Sequence, residues 1–218
     1  MSDFILEPRK VGFFYFAFKY IFDFLFSFSF ILILSPLFLI LILTVKLSSK
    51  GPAFFFDKRV GKGGKIINVI KFRSMYIDAE TKPEKYLNEE QMKIWKTERK
   101  LEDDPRITKV GKFLRKTSLD ELPQLFNIIA GQMSLVGPRP ISKWEFDTYF
   151  NEEEKKVLLT ARPGLTGYWQ VYGRNEVDYA SGARSRMTME YFNKRSLWLD
   201  LKIIFRTVAV VISRKGAE

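Results

Sequence analysis

The longest feature of the hydrophobic pattern runs from Tyr20 to Val45, YIFDFLFSFSFILILSPLFLILILTV, 26 residues interrupted by one charge, Asp23. About 20 apolar residues suffice to cross bilayer hydrocarbon, so this segment is expected to contact membrane. It is too long for the apolar part of a signal peptide, and no small-residue cleavage motif follows it. A soluble core helix seldom needs so unbroken a stretch. Ser35-Pro36 sits mid-run. Proline removes one helical hydrogen bond and crowds the preceding turn, and the Ser35 hydroxyl is available to satisfy a freed carbonyl. A helix-break-helix over residues 1–50 is therefore expected. Basic residues flank it on both sides: Arg9, Lys10 and Lys19 before, Lys46, Lys50, Lys58 and Arg59 after. Positive residues prefer the cytoplasmic face. A re-entrant segment satisfies both flanks, whereas a straight span leaves one outside.

The rest, 51–218, reads as a cytoplasmic catalytic domain. FFFDKRVGKGGKIINVIKF (54–72) alternates around Gly61, Gly63 and Gly64 as a basic-tipped β-hairpin. No Gly-Lys pair there is followed by Ser or Thr, which excludes a Walker A loop. Residues 76–104 are polar, with helical spacing at Tyr86, Met92, Trp95 and Leu101, and read as a solvated helix or hairpin insertion. A short basic helix is expected through Lys109, Lys112, Arg115 and Lys116. A second helix carries Leu122, Leu125, Phe126 and Ile129 and stops near Gly131. Its start has two readings: a Ser118/Glu121 capping box, or Pro123 at the first helical position. Either places Asp120 and Glu121 at or just before a helix N-terminus. GQMSLVGPRP (131–140) reads as a rigid loop presenting Arg139. ARPGLTGYWQVYGRN (161–175) reads as a loop or short strand presenting Arg162 and Arg174. In 197–212, Leu197, Leu201, Ile204, Phe205, Val208, Val211 and Ile212 share one helix face. That face suits either the core or a membrane interface. The fold class is thus α+β, mainly helical, with a membrane helix, a small hairpin and amphipathic helices around the catalytic core.

Composition narrows the chemistry. There is no histidine and no cysteine. This excludes imidazole bases, thiol nucleophiles, disulfides and His- or Cys-ligated metals. Catalysis must rest on carboxylates, Lys and Arg, hydroxyls, backbone dipoles or an oxygen-liganded metal. The formal charge of +11 calls for an anionic partner. It is unevenly placed: residues 46–75 hold eight basic and one acidic residue, +7, while residues 1–45 are neutral.

Asp120-Glu121 lies between Lys112, Arg115 and Lys116 on one side and Arg139 on the other. Carboxylates so placed are expected below their usual pKa and ionised. They then serve as a nucleophile or as Mg²⁺ ligands, and nearby arginines orient phosphate oxygens. The plainer reading is an acid-decorated helix start beside a solvated basic face.

TSLDELPQLFNIIAGQMSLVGPRP, ARPGLTGYWQVYGRN and SLWLDLKII, in that order, closely resemble the bacterial sugar transferase family of monotopic phosphoglycosyl transferases. KYIFDF with Ser35-Pro36 is similar to that family's re-entrant helix, and KFRSM (71–75) to its basic strand-end motif. The resemblance implies transfer of a sugar 1-phosphate from a UDP-sugar to undecaprenyl phosphate with Mg²⁺, starting surface polysaccharide assembly. It implies Asp120 as nucleophile and Glu121 as its partner, a metal ligand or proton handler. It also implies Lys71, Arg115, Arg139, Arg162 and Arg174 as phosphate-binding residues. The implied location is the bacterial inner membrane, catalytic part on the cytoplasmic face, among anionic lipids and downstream glycosyltransferases. One membrane segment matches the family's minimal form, but 76–104 is more like its larger members. Two other classes compete: a membrane-tethered nucleic-acid binder, disfavoured because no nucleic-acid-binding motif is visible, and a membrane scaffold.

Overall fold

The structure is a computed structural model describing residues 5–98, 101, 103–173 and 182–213. Its first element is a helix of 36 residues, α1 (Phe13–Ser48), with Pro36 inside it. Helical structure continues through Ser35-Pro36, so the segment is one helix and not two separated by a gap. An interior proline removes one hydrogen bond and crowds the preceding turn, which bends a helix more readily than it ends one.

The hairpin forms as expected from β1 (Phe54–Val60) and β2 (Ile66–Phe72). A polar helix, α2 (Glu89–Glu98), lies in the insertion. The basic helix is α3 (Lys109–Thr117), capped by the Thr108 hydroxyl, which accepts from the Gly111 N–H at 2.9 Å. A 3₁₀ turn at Leu119–Glu121 precedes α4 (Gln124–Ile129). Then come β3 (Ser134–Val136), α5 (Lys143–Tyr149), α6 (Glu152–Leu158), β4 (Gly164–Thr166), α7 (Tyr168–Tyr172), α8 (Ala183–Lys194) and α9 (Leu197–Ser213).

Two compact units result, the division falling between Ile33 and Leu34 within α1. The first comprises residues 1–33, 56–70 and 123–216. Its core gathers Leu125, Met133, Val136, Met189, Phe192 and Ile203. At its centre the expected loop 131–140 contains β3, which pairs in parallel with β4, Ser134 opposite Gly164 and Val136 opposite Thr166. Glycine makes this pairing possible. A Cβ on Gly164 would meet the Gly137 nitrogen at 2.2 Å, and one on Gly167 would meet the Gly137 carbonyl oxygen at 2.3 Å. The 131–140 segment reads as a loop because a three-residue strand beside Gly and Pro carries no readable alternation; in 161–175 the short-strand alternative is the one that forms.

The second unit comprises residues 34–55 and 71–122. Its core is Phe38, Leu41, Val45, Ala53, Phe72 and Leu114. Arg73 joins the end of α1 to the strand end, its guanidinium donating to the carbonyls of Val45 (3.2 Å), Ser49 (2.8 Å) and Lys50. A cation there satisfies unpaired carbonyls and opposes the helix dipole.

Candidate active site

Four of the expected site residues meet in the second unit. Lys71 stands near the end of β2, Arg115 on the last turn of α3, and Asp120 and Glu121 on the 3₁₀ turn. The turn is forced by the sequence between two helices. Ser118 takes φ +56° and closes α3, its N–H bonding the Arg115 carbonyl at 3.1 Å. Its side chain makes no capping bond, so the Ser118/Glu121 capping box does not form. Pro123 instead occupies the cap position of α4, one residue before its expected place.

Lys71 and Arg115 are brought together by stitching that sequence reading missed. The Ser74 carbonyl accepts from the Thr108 N–H at 3.0 Å, and its hydroxyl accepts from Arg115 Nε at 2.9 Å. Gly111 is the only residue type that fits beneath, since a Cβ would lie 1.9 Å from the Ser74 carbonyl oxygen. A buried fork holds the segment before α3: Arg106 Nε and Nη2 donate to Asp104 at 2.9 and 2.6 Å. Arg106 also stacks on Trp95, 4.8 Å from its ring centre. KFRSM and DPR were visible signals for these contacts, though neither string says which residue is structural.

Lys71 Nζ lies 3.8 Å from a Glu121 carboxylate oxygen. Asp120 is half-buried. Burial, and then the neighbouring Glu121 carboxylate, push its pKa above the ordinary value; Lys71 and Arg115 pull back only in part. The expectation of a lowered pKa is thus corrected for Asp120: loss of water around the carboxylate outweighs the attraction of the two cations. Burial likewise lowers the Arg115 pKa, although Asp120 and Asp104 oppose it. The result is a carboxylate pair of unequal surroundings faced by two cations, suited to nucleophilic attack at an anionic phosphorus.

Arg139 and Arg162 belong to the first unit. Arg139 follows β3 and stacks on buried Trp169 at 5.7 Å, a ring Arg184 also approaches at 4.0 Å. Arg162 precedes β4 and lies 3.7 Å from the centre of the Tyr20 ring. Arg174 lies outside the described residues.

A sequence profile described as Bacterial sugar transferase matches residues 14–214. Three similar proteins illustrate the likeness. An uncharacterized sugar transferase of Haemophilus influenzae is 46% identical over 184 residues, 84% of this chain and 38% of that protein. The exopolysaccharide production protein ExoY of Sinorhizobium fredii is 44% identical over 184 residues, 84% of this chain and 80% of that protein. The undecaprenyl-phosphate galactose phosphotransferase of Salmonella typhimurium is 44% identical over 182 residues, 82% of this chain and 37% of that protein. The chain thus spans less than half of the Haemophilus and Salmonella proteins and most of ExoY.

Proposed function

Because this chain belongs to the bacterial sugar transferase family, we propose that it moves a sugar 1-phosphate from a UDP-sugar to undecaprenyl phosphate and releases UMP. The observation that carries this reading is the half-buried Asp120, paired with Glu121 and faced by Lys71 and Arg115. In the first step an Asp120 oxygen attacks the sugar-bearing phosphorus. The bond from that phosphorus to the bridging oxygen breaks, and UMP leaves with the electron pair. In the second step a phosphate oxygen of undecaprenyl phosphate attacks the same phosphorus. The Asp120 carboxylate departs, leaving a sugar joined to the lipid by a diphosphate.

Lys71 and Arg115 balance phosphate charge through both steps. Glu121, held by Lys71, keeps a second negative oxygen beside the nucleophile. Among the described residues no three acidic side chains cluster as a metal cage. Two adjacent carboxylates, completed by phosphate oxygens and water, nevertheless fit Mg²⁺, which commonly keeps waters and takes only one or two protein carboxylates. Asp120 and Glu121 would hold it, and when bound it would neutralise phosphate charge.

The setting is the bacterial cytoplasmic membrane. α1 exposes Phe14, Phe18, Ile21, Leu25, Ile33 and Leu43, and the strongly basic 46–75 segment suits its cytoplasmic face. Surface polysaccharide assembly is the process this product would enter.

UMP release across a panel of UDP-sugars, with undecaprenyl phosphate and Mg²⁺, tests the reaction and its sugar together. UDP-galactose and UDP-glucose come first, since similar proteins bear the names of galactose and glucose transferases. No UMP from any donor would sink the reading. Asp120→Asn should abolish both turnover and covalent labelling by radioactive UDP-sugar. Retained labelling would remove Asp120 from its role, and biological function retained by this variant would favour a scaffold.

A further inference from the structure

The second unit holds a buried ion pair that the proposed reaction does not use. Asp104 and Arg106 are 4% and 3% exposed. Arg106 occupies both oxygens of Asp104. One oxygen accepts from the Arg106 backbone N–H at 3.0 Å and from its Nε at 2.9 Å; the other accepts from Nε at 3.1 Å and from Nη2 at 2.6 Å. Burial opposes the Asp104 charge, but these bonds hold its pKa below the ordinary value. The Trp95 ring of α2 lies against the same guanidinium. Backbone pairing carries the fork to the active site. The Tyr76 N–H donates to the Arg106 carbonyl at 3.0 Å, Met75 pairs antiparallel with Ile107, and the Thr108 N–H donates to the Ser74 carbonyl. Ser74 in turn holds Arg115 through Nε.

Arg115 feels this pair. Asp120 and Asp104 both favour its charged form, and Arg106 acts against it. Four charges thus alternate in sign: Arg106, Asp104, Arg115 and Asp120. A buried carboxylate requires a partner, and two arginines are within reach of Asp104's charge. The fork gives it to Arg106. Among the described residues the Arg115 guanidinium makes one hydrogen bond, the one from Nε to Ser74. Its two terminal nitrogens are left for phosphate oxygens, the paired use for which a guanidinium is shaped. We propose that Arg106 is a positioning residue: by holding Asp104 in the fork, it keeps that carboxylate from capturing Arg115. Arg106 and Asp104 act through Arg115 and not on substrate. The catalytic part of this inference rests on the proposed reaction; the competition between the two arginines does not.

Rescue by a second substitution tests it. Arg106→Gln frees Asp104, and kcat/KM for UMP release should fall about tenfold, the loss of one charge-assisted bond from Arg115 to phosphate. Asp104→Asn combined with Arg106→Gln removes the competing carboxylate along with its partner. This chain should recover kcat/KM to within about threefold of the unmodified one. A fork that serves folding alone predicts no recovery. Thermal unfolding gives a readout that needs no substrate. Arg115→Gln should lower the melting temperature more in the Arg106→Gln chain than in the otherwise unmodified chain, because Arg115 has there become the partner of a buried carboxylate. An unmodified chain that releases no UMP would sink the reaction and leave this comparison to decide the capture. Equal lowering in both chains overturns the proposal, as does full activity in Arg106→Gln. So does a double variant left about tenfold below the unmodified chain, a result that decides even where Arg106→Gln alone does not fold.

Discussion

Asp120 is asked to be an anion in surroundings that resist it. Burial and Glu121 raise its pKa above the ordinary 3.8, and Lys71 is the largest force pulling it back. A carboxylate nucleophile works only when deprotonated, so covalent labelling should rise with pH through this raised pKa. The acid limb of the labelling rate is expected above the ordinary carboxylate range. Lys71→Met removes the main counter-charge and should move that limb further up, while Lys71→Arg should leave it near its place. A limb that stays put in Lys71→Met would show that Lys71 does not govern Asp120. The Asp-Glu pair was legible through the family resemblance; adjacent acids alone do not mark it, since Glu89-Glu90, Asp103-Asp104 and Glu152-Glu153-Glu154 also occur. The sign of the shift was not legible. It depends on how much water the folded chain removes, and no local string records that.

Among the elements, α3 shows how one glycine sets a site. Adding a methyl group to Gly111 drives it into the Ser74 backbone, which cannot swing aside as a side chain would. Gly111→Ala is expected to destabilise by about 3 kcal/mol, at the upper end of overpacking costs. It should also part Arg115 from Ser74, weakening turnover of UDP-sugar. Thermal unfolding measures the first effect and the steady-state rate the second; an unchanged melting temperature would contradict the contact. α9 teaches the opposite lesson about legibility. Its apolar stripe was readable, but a stripe does not say what covers it. The folded chain buries Asp200 and Ile203 and leaves Trp198, Phe205 and Val208 exposed. Of the stripe, Leu197, Leu201, Phe205 and Val208 are exposed and Ile204 packs against the core, so the interfacial reading gains support. The reason is polar: Asp200 must meet Lys19, Tyr15 and Tyr191, and a buried carboxylate left unpaired costs more than exposed apolar area.

For the molecule as a whole, the question is which side of the membrane each end of α1 occupies. The long helix alone does not answer it, since about 54 Å is enough to cross. The segment preceding α1 does better. Glu7 N–H donates to Asn193 at 2.9 Å, Asn193 donates to the Ile5 carbonyl at 2.9 Å, and Arg9 N–H donates to the Phe192 carbonyl at 3.0 Å. These bonds tie the chain before α1 to the end of α8, which follows α1 by well over a hundred residues. If α1 crossed the bilayer, a second crossing would be needed to return the chain, and α1 is the one described helix long and apolar enough to make one. Unpaired backbone groups in hydrocarbon are too costly for a loop to do so. We propose on this ground that both flanks of α1 lie on one face of the membrane, as a re-entrant segment requires. The absence of cysteine makes the test direct. Lys10→Cys and Lys50→Cys each introduce a single thiol, one before and one after α1. In intact cells neither should react with a maleimide that cannot cross the membrane, and both should react once the cells are opened. Labelling of either residue from outside would mean that α1 spans, and the hydrogen bonds between residues 5–9 and α8 could then not exist in the membrane-bound protein.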